Sequence, residues 1–412
     1  MHKSQFLAAA VLLVNISAIN FNLLAQATES VVVHEVPAEN GSYTVTPKVP
    51  ADGKVPMGTV LTVKAKPSTG YSLDAVYYTV KGGMWGTLSY ENFTPTMKIT
   101  VDKEMWIGAT FIQKSLVENI NVTHDVVYAK PGKKALKYDV YSPKDAHNLP
   151  CIVIIHGGGW SSNNEDIMRG LARELVRDGR LVVFSIDYRW VNNLDGDKEP
   201  TSMHQLIEDV FGAIAHIQEN ASRYGGDPTR IGVTGDSAGG HLSEAAALFS
   251  TMIGSRGFGV EPGVYEYRPT YMPKGKSVDQ VRAEITNAVR AVAPSYGPSD
   301  ARDFKMFITQ TSEEYYDAVS PVKHIPDVTD RSVPHFIVRG DQDNTVPHQA
   351  VQSYVDVLKA KGQPVEYILV EGAGHAFFDW KPDAETRETF EKFGVKYAGE
   401  MREFFDRVLY NK

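Results

Sequence analysis

Cysteine is almost missing: Cys151 is the single one in 412 residues. No internal disulfide can form, so a form of the protein outside the cell must rest on its apolar core. An excess of one charge is missing too. Lys and Arg number 42 against 50 Asp and Glu, a formal net charge of −8. That balance argues against an electrostatic nucleic-acid binder, and no nucleic-acid partner is expected. His and Cys show no clustered ligand spacing, so no metal and no cofactor is expected. Beyond the N-terminus no apolar run reaches the ~18–20 residues of a bilayer span, and no span is expected in the mature protein. The apolar fraction of 42% and charged fraction of 22% exclude a disordered or collagen-like chain. What is left is a globular chain long enough for two or three domains.

The first residues read as an export signal. His2 and Lys3 precede an apolar run, Phe6 to Val14, and Ala25-Gln26-Ala27 fits the small-x-small cleavage rule. Asn15, Asn20 and Asn22 break the run before it could anchor the chain in a bilayer. Residues 1–27 are therefore expected to be a signal peptide, with the mature chain starting near Thr28. No Cys follows the apolar run, which excludes lipoprotein-type attachment. A periplasmic or extracellular location is expected.

Two textures follow. Residues 28–113 carry short alternating runs separated by Gly, Pro, Asn and Asp: Tyr43–Val45, Thr59–Ala65, Ala75–Val80, Lys98–Val101 and Met105–Phe111. Such runs predict a small all-β module. Gly58-Thr59-Val60-Leu61-Thr62-Val63-Lys64-Ala65-Lys66-Pro67, then Gly70-Tyr71, then Ile99-Thr100-Val101-Asp102 and Ala109-Thr110-Phe111, resemble one unit of the InlB-type B-repeat. The resemblance implies a surface-associated accessory domain with a glycan or cell-surface partner.

Residues 114–412 alternate strands with helical patterns, which predicts a mostly parallel sheet covered on both faces. Leu136–Tyr141 reads as an edge strand and Cys151–Ile155 as a buried parallel one. Further strands are expected at Leu181–Ile186, Arg230–Thr234, Val289–Pro294, His335–Arg339 and Val365–Val370. Helices are expected at Ile167–Arg177, Met203–Asn220, Ala238–Leu248, Ala350–Lys361 and, for the most part, over 384–409. This α/β order is that of an α/β-hydrolase fold. Two stretches interrupt it, 251–285 and 304–318, and both are expected beside or over the site, the first without regular structure.

Four segments carry chemistry. Gly235-Asp236-Ser237-Ala238-Gly239-Gly240 lies between a strand and a helix, the context in which Gly-x-Ser-x-Gly makes a nucleophile elbow. Its small residues permit a strained turn that lifts the Ser237 hydroxyl above the sheet. His156-Gly157-Gly158-Gly159-Trp160 follows a buried strand; amides there can face the oxyanion that forms when an ester is attacked. Gly158, Gly159 and Ala238 are the expected oxyanion donors, with Trp160 as a candidate substrate contact and His156 as a brace for the loop. The base and its acid follow the serine in the order acid, then His. Gly374-His375-Ala376 places His375 on a small-residue loop after the last strand. Gly340-Asp341-Gln342-Asp343 offers two carboxylates, of which Asp343 is preferred as the acid, Asp341 then capping the turn. His241 and His348 are read as structural or surface residues, and Asp187 and Asp209 as anchors.

These segments, from Val122 onward, resemble the α/β-hydrolase esterases. His-Gly-Gly-Gly-Trp with Gly-Asp-Ser-Ala-Gly-Gly-His is similar to the hormone-sensitive-lipase-like carboxylesterases. With Tyr224-Gly225-Gly226-Asp227-Pro228, Ser320-Pro321 and Gly340-Asp341-x-Asp343-x-x-Val346-Pro347 it resembles still more the bifunctional feruloyl and acetyl-xylan esterases. The resemblance implies an exported serine esterase that deacylates plant polysaccharide, with Ser237, Asp343 and His375 as its triad. Its substrate would be a small-molecule or polysaccharide ester. A prolyl-oligopeptidase-like peptidase shares the C-terminal motifs but usually carries a propeller, for which the β module is too short. A catalytically inert surface-binding protein would lack a triad member, and none is missing. All four chemical segments lie after Val122, so residues 28–113 are expected to be dispensable for hydrolysis of small esters.

Overall fold

The computed structural model describes residues 29–83, 86–193, 199–255 and 266–410. The expected signal peptide, 1–27, lies outside the described residues, as does 256–265 of the first interrupting stretch.

The N-terminal module is two packed sheets. Gly41–Thr46, Val60–Pro67 and Thr96–Thr100 pair antiparallel. The second sheet runs Lys54–Pro56, Ser30–Glu35, Met105–Gln113, Tyr71–Lys81, Thr87–Asn92. Alternation sends Leu61, Val63, Ile99, Val76, Ile107 and Phe111 into the space between them. Ser30–Glu35, Lys54–Pro56 and Thr87–Asn92 escaped the sequence reading: the second is three residues long, and the third is mostly polar.

The remainder is one eight-stranded sheet. In spatial order its strands are Val365–Val370, His335–Gly340, Val289–Ser295, Gly226–Asp236, Leu149–Ile155, Val182–Ile186, Leu136–Pro143 and Ile120–Ala129. The first six pair in parallel, and Leu136–Pro143 runs antiparallel to both its neighbours. Helices Met203–Asn220, Ala238–Leu248 and His348–Ala360 cover one face. Arg169–Val176 and Val395–Tyr410 cover the other. This is the α/β-hydrolase order.

Two expectations are corrected. Leu136–Pro143 is not an edge strand; Ile120–Ala129 lies outside it. That outer strand is half exposed, and His124 and a left-handed Asp125 (φ 60°) break its alternation, Ile120, Val122, Val126 and Tyr128, into two short pieces. Nor is 251–285 without regular structure, because Val278–Ala288 is a helix. Ser277 and Gln280 form its capping box, and Val281, Ile285 and Ala288 are buried at helical spacing. That Ser-x-x-Gln signal was present in the sequence. Just before it, the Thr270 amide bonds the Glu208 carbonyl (3.0 Å), laying 266–271 along helix Met203–Asn220.

The two bodies meet in a packed seam. Ile112 of the module sits in the same apolar cluster as Tyr141, Phe378 and Trp380. The Phe93 ring stacks on His124 with centroids 4.4 Å apart. Between them Asp74 and Glu91 of the module pair with Arg169 and Arg173 of the hydrolase domain, all four buried or nearly so.

Candidate active site

Each site residue stands at the C-terminal end of a parallel strand, where an open α/β sheet leaves its crevice. Ser237 ends strand Gly226–Asp236 and opens helix Ala238–Leu248. Its φ of 51° and ψ of −115° are strained for a residue with a Cβ. The turn closes only because its neighbours are small; a Cβ on Gly239 would run into the Ile155 carbonyl. The Ser237 amide bonds the Ser295 carbonyl (2.9 Å), tying the elbow to the next strand.

His375 Nε2 lies 2.9 Å from Ser237 Oγ, and its Nδ1 lies 2.8 Å from Asp343 Oδ2. A neutral imidazole with its proton on Nδ1 satisfies both contacts: it donates to the carboxylate and accepts from the hydroxyl. Asp343 also accepts the Thr345 and Val346 amides at 2.8 and 3.0 Å. Burial alone would raise the Asp343 pKa. The hydrogen bond and charge of His375, with those two amides, outweigh it and hold the carboxyl below its usual range. Asp341 points elsewhere and accepts the Gly372 amide at 2.8 Å. Of the two aspartates, Asp343 alone is joined to His375.

Gly158 and Gly159 have φ values of 115° and 59°, so the loop after strand Leu149–Ile155 needs glycine, and a Cβ at Gly158 would meet the Ser162 carbonyl. The Ala238 amide is in the first turn of its helix, where N–H groups have no intrahelical partner and the dipole favours negative charge. The Asp236 Oδ1 accepts the Gly157 amide (2.7 Å) and so pins the glycine loop to the elbow. Burial, with the Asp379 carboxylate nearby, pushes the Asp236 pKa well above the usual carboxylate range.

Trp160 departs from the expected role as a substrate contact. It is 3% exposed, its indole N–H donates to His241 Nδ1 (3.2 Å), and Phe304 stacks on its ring at 4.4 Å. It therefore supports the glycine loop from below, and 304–318 begins against it. His241 is fully buried, hydrogen-bonded to the Val319 carbonyl, and burial pushes its pKa down to about 4. His156 is also buried, stacked on Tyr188 and bonded to the Gly157 carbonyl. Asp209 grips Arg189 through both oxygens, and Asp187 holds Lys134.

The sequence reading missed Tyr296. It ends strand Val289–Ser295 with a left-handed φ of 39°, lies edge-on to the His375 ring (4.9 Å), and its hydroxyl accepts the Phe378 amide at 3.2 Å. Its only signal was a tyrosine before Gly297 at a strand end. A cluster outside the triad, Asp139, Glu165 and Asp166, places carboxylate oxygens within 4.8 Å of one another. Chemically, the hydrogen-bonded path Asp343–His375–Ser237 can activate a hydroxyl, and the amide that opens helix Ala238–Leu248 can receive an oxyanion.

A family model described as BD-FAE matches residues 138–358. The chain is 28% identical over 277 residues to the probable carboxylic ester hydrolase LipM of Mycobacterium tuberculosis, covering 61% of this chain and 56% of that protein. It is 37% identical over 115 residues to the carboxylesterase NlhH of the same organism, covering 28% and 34%. The chain thus spans about half the length, or less, of these curated relatives. Among solved structures, a truncated form of a carbohydrate esterase from gut microbiota superposes with a TM-score of 0.53 at 24% identity, covering 71% of this chain and 97% of that one. The apo form of Thermogutta terrifontis esterase 2 gives 0.51 at 23% identity, covering 70% and 96%. At such identities what these structures share with this chain is the fold.

Proposed function

The chain belongs to the BD-FAE family, and from that premise we propose that it is an exported serine esterase that removes acyl groups, acetyl or feruloyl, from plant polysaccharide. The observation that carries the reading is the continuous hydrogen-bonded path Asp343–His375–Ser237, with the Gly158, Gly159 and Ala238 amides as its proposed oxyanion donors.

In this mechanism His375 Nε2 takes the Ser237 proton as Oγ attacks the ester carbonyl. The carbonyl oxygen gains the charge and is met by the three amides. The proton on Nε2 then passes to the leaving alkoxide, releasing the sugar hydroxyl and leaving an acyl-serine. Water, deprotonated by the same nitrogen, attacks the acyl carbon; the proton returns to Ser237 and the acid departs. Throughout, Asp343 stays ionised and stabilises the imidazolium.

Export is supported by the apolar run Phe6 to Val14 and the Ala25-Gln26-Ala27 site. The polysaccharide substrate is supported by the family and by the β module's likeness to a surface repeat, for which a glycan or cell-surface partner fits. The test is to incubate the secreted chain with acetylated, feruloylated xylan and with a prolyl peptide, and to measure acetate, ferulate and amine. Acetate or ferulate release without peptide cleavage is expected. Cleavage of the peptide alone overturns the reading.

A further inference from the structure

We propose that Asp74, on the β module, is a positioning residue for the His375 loop, so that the module is a working part of the ester-hydrolysing site. This rests on His375 being the general base.

Asp74 is the hub of the seam. Its carboxylate accepts the indole N–H of Trp380 (2.9 Å), Arg173 Nη1 (2.9 Å), Arg169 Nε and Nη2 (3.2 and 3.3 Å), and the Thr110 hydroxyl (3.1 Å). Thr110 is the module's own; the other donors belong to the hydrolase domain. Trp380 is the far end of the loop that carries His375. Between the two, the backbone is held at every turn. Ala376 has a left-handed φ of 60°, the Phe378 amide bonds the Tyr296 hydroxyl, the Asp379 amide bonds the Ala376 carbonyl (3.1 Å), and the Trp380 amide bonds the Ile167 carbonyl (2.9 Å). Arg173 also covers the Trp380 ring, 4.6 Å from its centroid. A rigid five-residue path thus links Asp74 to the imidazole.

Burial alone would raise the Asp74 pKa, but the two guanidiniums hold it well below the usual carboxylate range. The two guanidiniums thus favour the charged form of the acceptor. Without the module, Arg169 and Arg173 lose their counter-charge, the Trp380 N–H loses its acceptor, and the face that carries them is opened to water. This proposed role runs against the expectation that residues 28–113 are dispensable for small esters, although every chemical motif lies outside the module.

The experiment uses the full chain and nitrophenyl acetate, with kcat, KM and thermal melts for Asp74→Asn, Trp380→Phe and Val63→Ala. Trp380→Phe removes one N–H and keeps a ring. Val63→Ala weakens the module's core and leaves the seam alone. Displacing a catalytic group by a fraction of an ångström to an ångström costs up to about a hundredfold in rate. Asp74→Asn and Trp380→Phe are expected to lower kcat about ten- to a hundredfold with KM unchanged, well below their melting temperatures. Val63→Ala should melt earlier with wild-type kcat. Wild-type kcat in folded Trp380→Phe overturns the proposal, even if Asp74→Asn fails to fold. So does an equal loss of kcat in Val63→Ala. Absence of hydrolysis by the wild type would instead reject the esterase reading itself.

Discussion

The half-buried candidate active site and the buried seam are both polar and assembled from residues distant in sequence, yet they store different kinds of information. Every proposed catalytic group follows a strand of one sheet, so strand order alone delivers it: the glycines after Leu149–Ile155, Ser237 after Gly226–Asp236, Asp343 after His335–Gly340, His375 after Val365–Val370. The seam instead joins one aspartate, one glutamate, two arginines and a tryptophan from strands, a helix and a loop. Chemistry that must recur at one place in a fold leaves a pattern of small residues around it. A docking contact leaves single charged residues that look like any others.

The largest test breaks the active-centre half of that contrast. Ser237→Ala should lower turnover on nitrophenyl acetate by about five to six orders of magnitude, the scale seen when a serine nucleophile is removed. The melt should not move, since the elbow needs a small residue and Ala is smaller than Ser. Activity above a hundredth of wild type would show that the elbow is not where the chemistry happens.

Next comes Asp343→Asn. The carboxylate accepts the His375 Nδ1–H at 2.8 Å, and an amide there can stabilise the wrong tautomer. In a comparable triad this costs about four orders of magnitude. Turnover within tenfold of wild type would remove Asp343 from the mechanism.

These two sites were legible because each sits in a short motif with an expected strand on one side. The parallel sheet was legible for a related reason: Cys151–Ile155 is buried on both faces and reads as a continuous apolar run. Legibility ended where burial was partial or partners were remote. Ile120–Ala129 alternates only in two short pieces, interrupted at His124 and Asp125, and half of it is exposed. Trp160 beside three glycines reads as a substrate contact, and only packing against Phe304 and His241 reveals a support. Tyr296 and Asp74 have no local signature, because their work is done on a backbone amide, an indole N–H and guanidiniums supplied from elsewhere.

Acid should separate the two regions by a smaller amount. Burial pushes the pKa of His204 and His241 down to about 4 and that of His335 to about 3. An unfolded chain takes up protons at these positions near pH ~6.5, and the folded chain does not. A depressed folded pKa means full stability above ~6.5, lost as pH falls toward 4. At about 1.4 kcal/mol per pH unit per group, each buried histidine withdraws up to roughly 3 kcal/mol over that window. Asp74, held below the usual range, keeps its pairs with Arg169 and Arg173, whereas Glu91, pushed up by burial to about 7, takes up a proton over this window and gives up its ion pair with Arg169. His241, beneath the glycine loop, does not keep its neutrality for free. These three histidines therefore pull the melting temperature down from pH 6.5 to 4.5, while Glu91 and Glu208, pushed up by burial to about 7, pull it the other way. The histidine part is read as the difference in slope between the wild type and His335→Gln. A profile for His335→Gln that falls as steeply as the wild type's would mean that His335 is not held neutral by the fold.

The smallest expected effect is the most discriminating, because it concerns two aspartates two residues apart. Asp341 and Asp343 follow the same strand, and composition cannot tell them apart. Asp341 is exposed and spends its Oδ1 on the Gly372 amide, in the turn that starts the histidine loop (φ 74° at Gly372). Asn at position 341 can still accept that bond through its amide oxygen, without the charge. The loss is then the difference between a charge-assisted and a neutral hydrogen bond at an exposed site, about 1 kcal/mol. It should appear as a melt a few degrees lower with kcat within about twofold of wild type. Asp343→Asn should do the reverse: its melt moves less than its turnover does, because the bond it weakens is used during the reaction. If Asp341→Asn proves inactive while Asp343→Asn only melts earlier, the acid is misassigned by two residues. Ser237 and His375 would keep their proposed roles, and the Gly372 turn would have to be re-examined as the route by which a carboxylate reaches the imidazole.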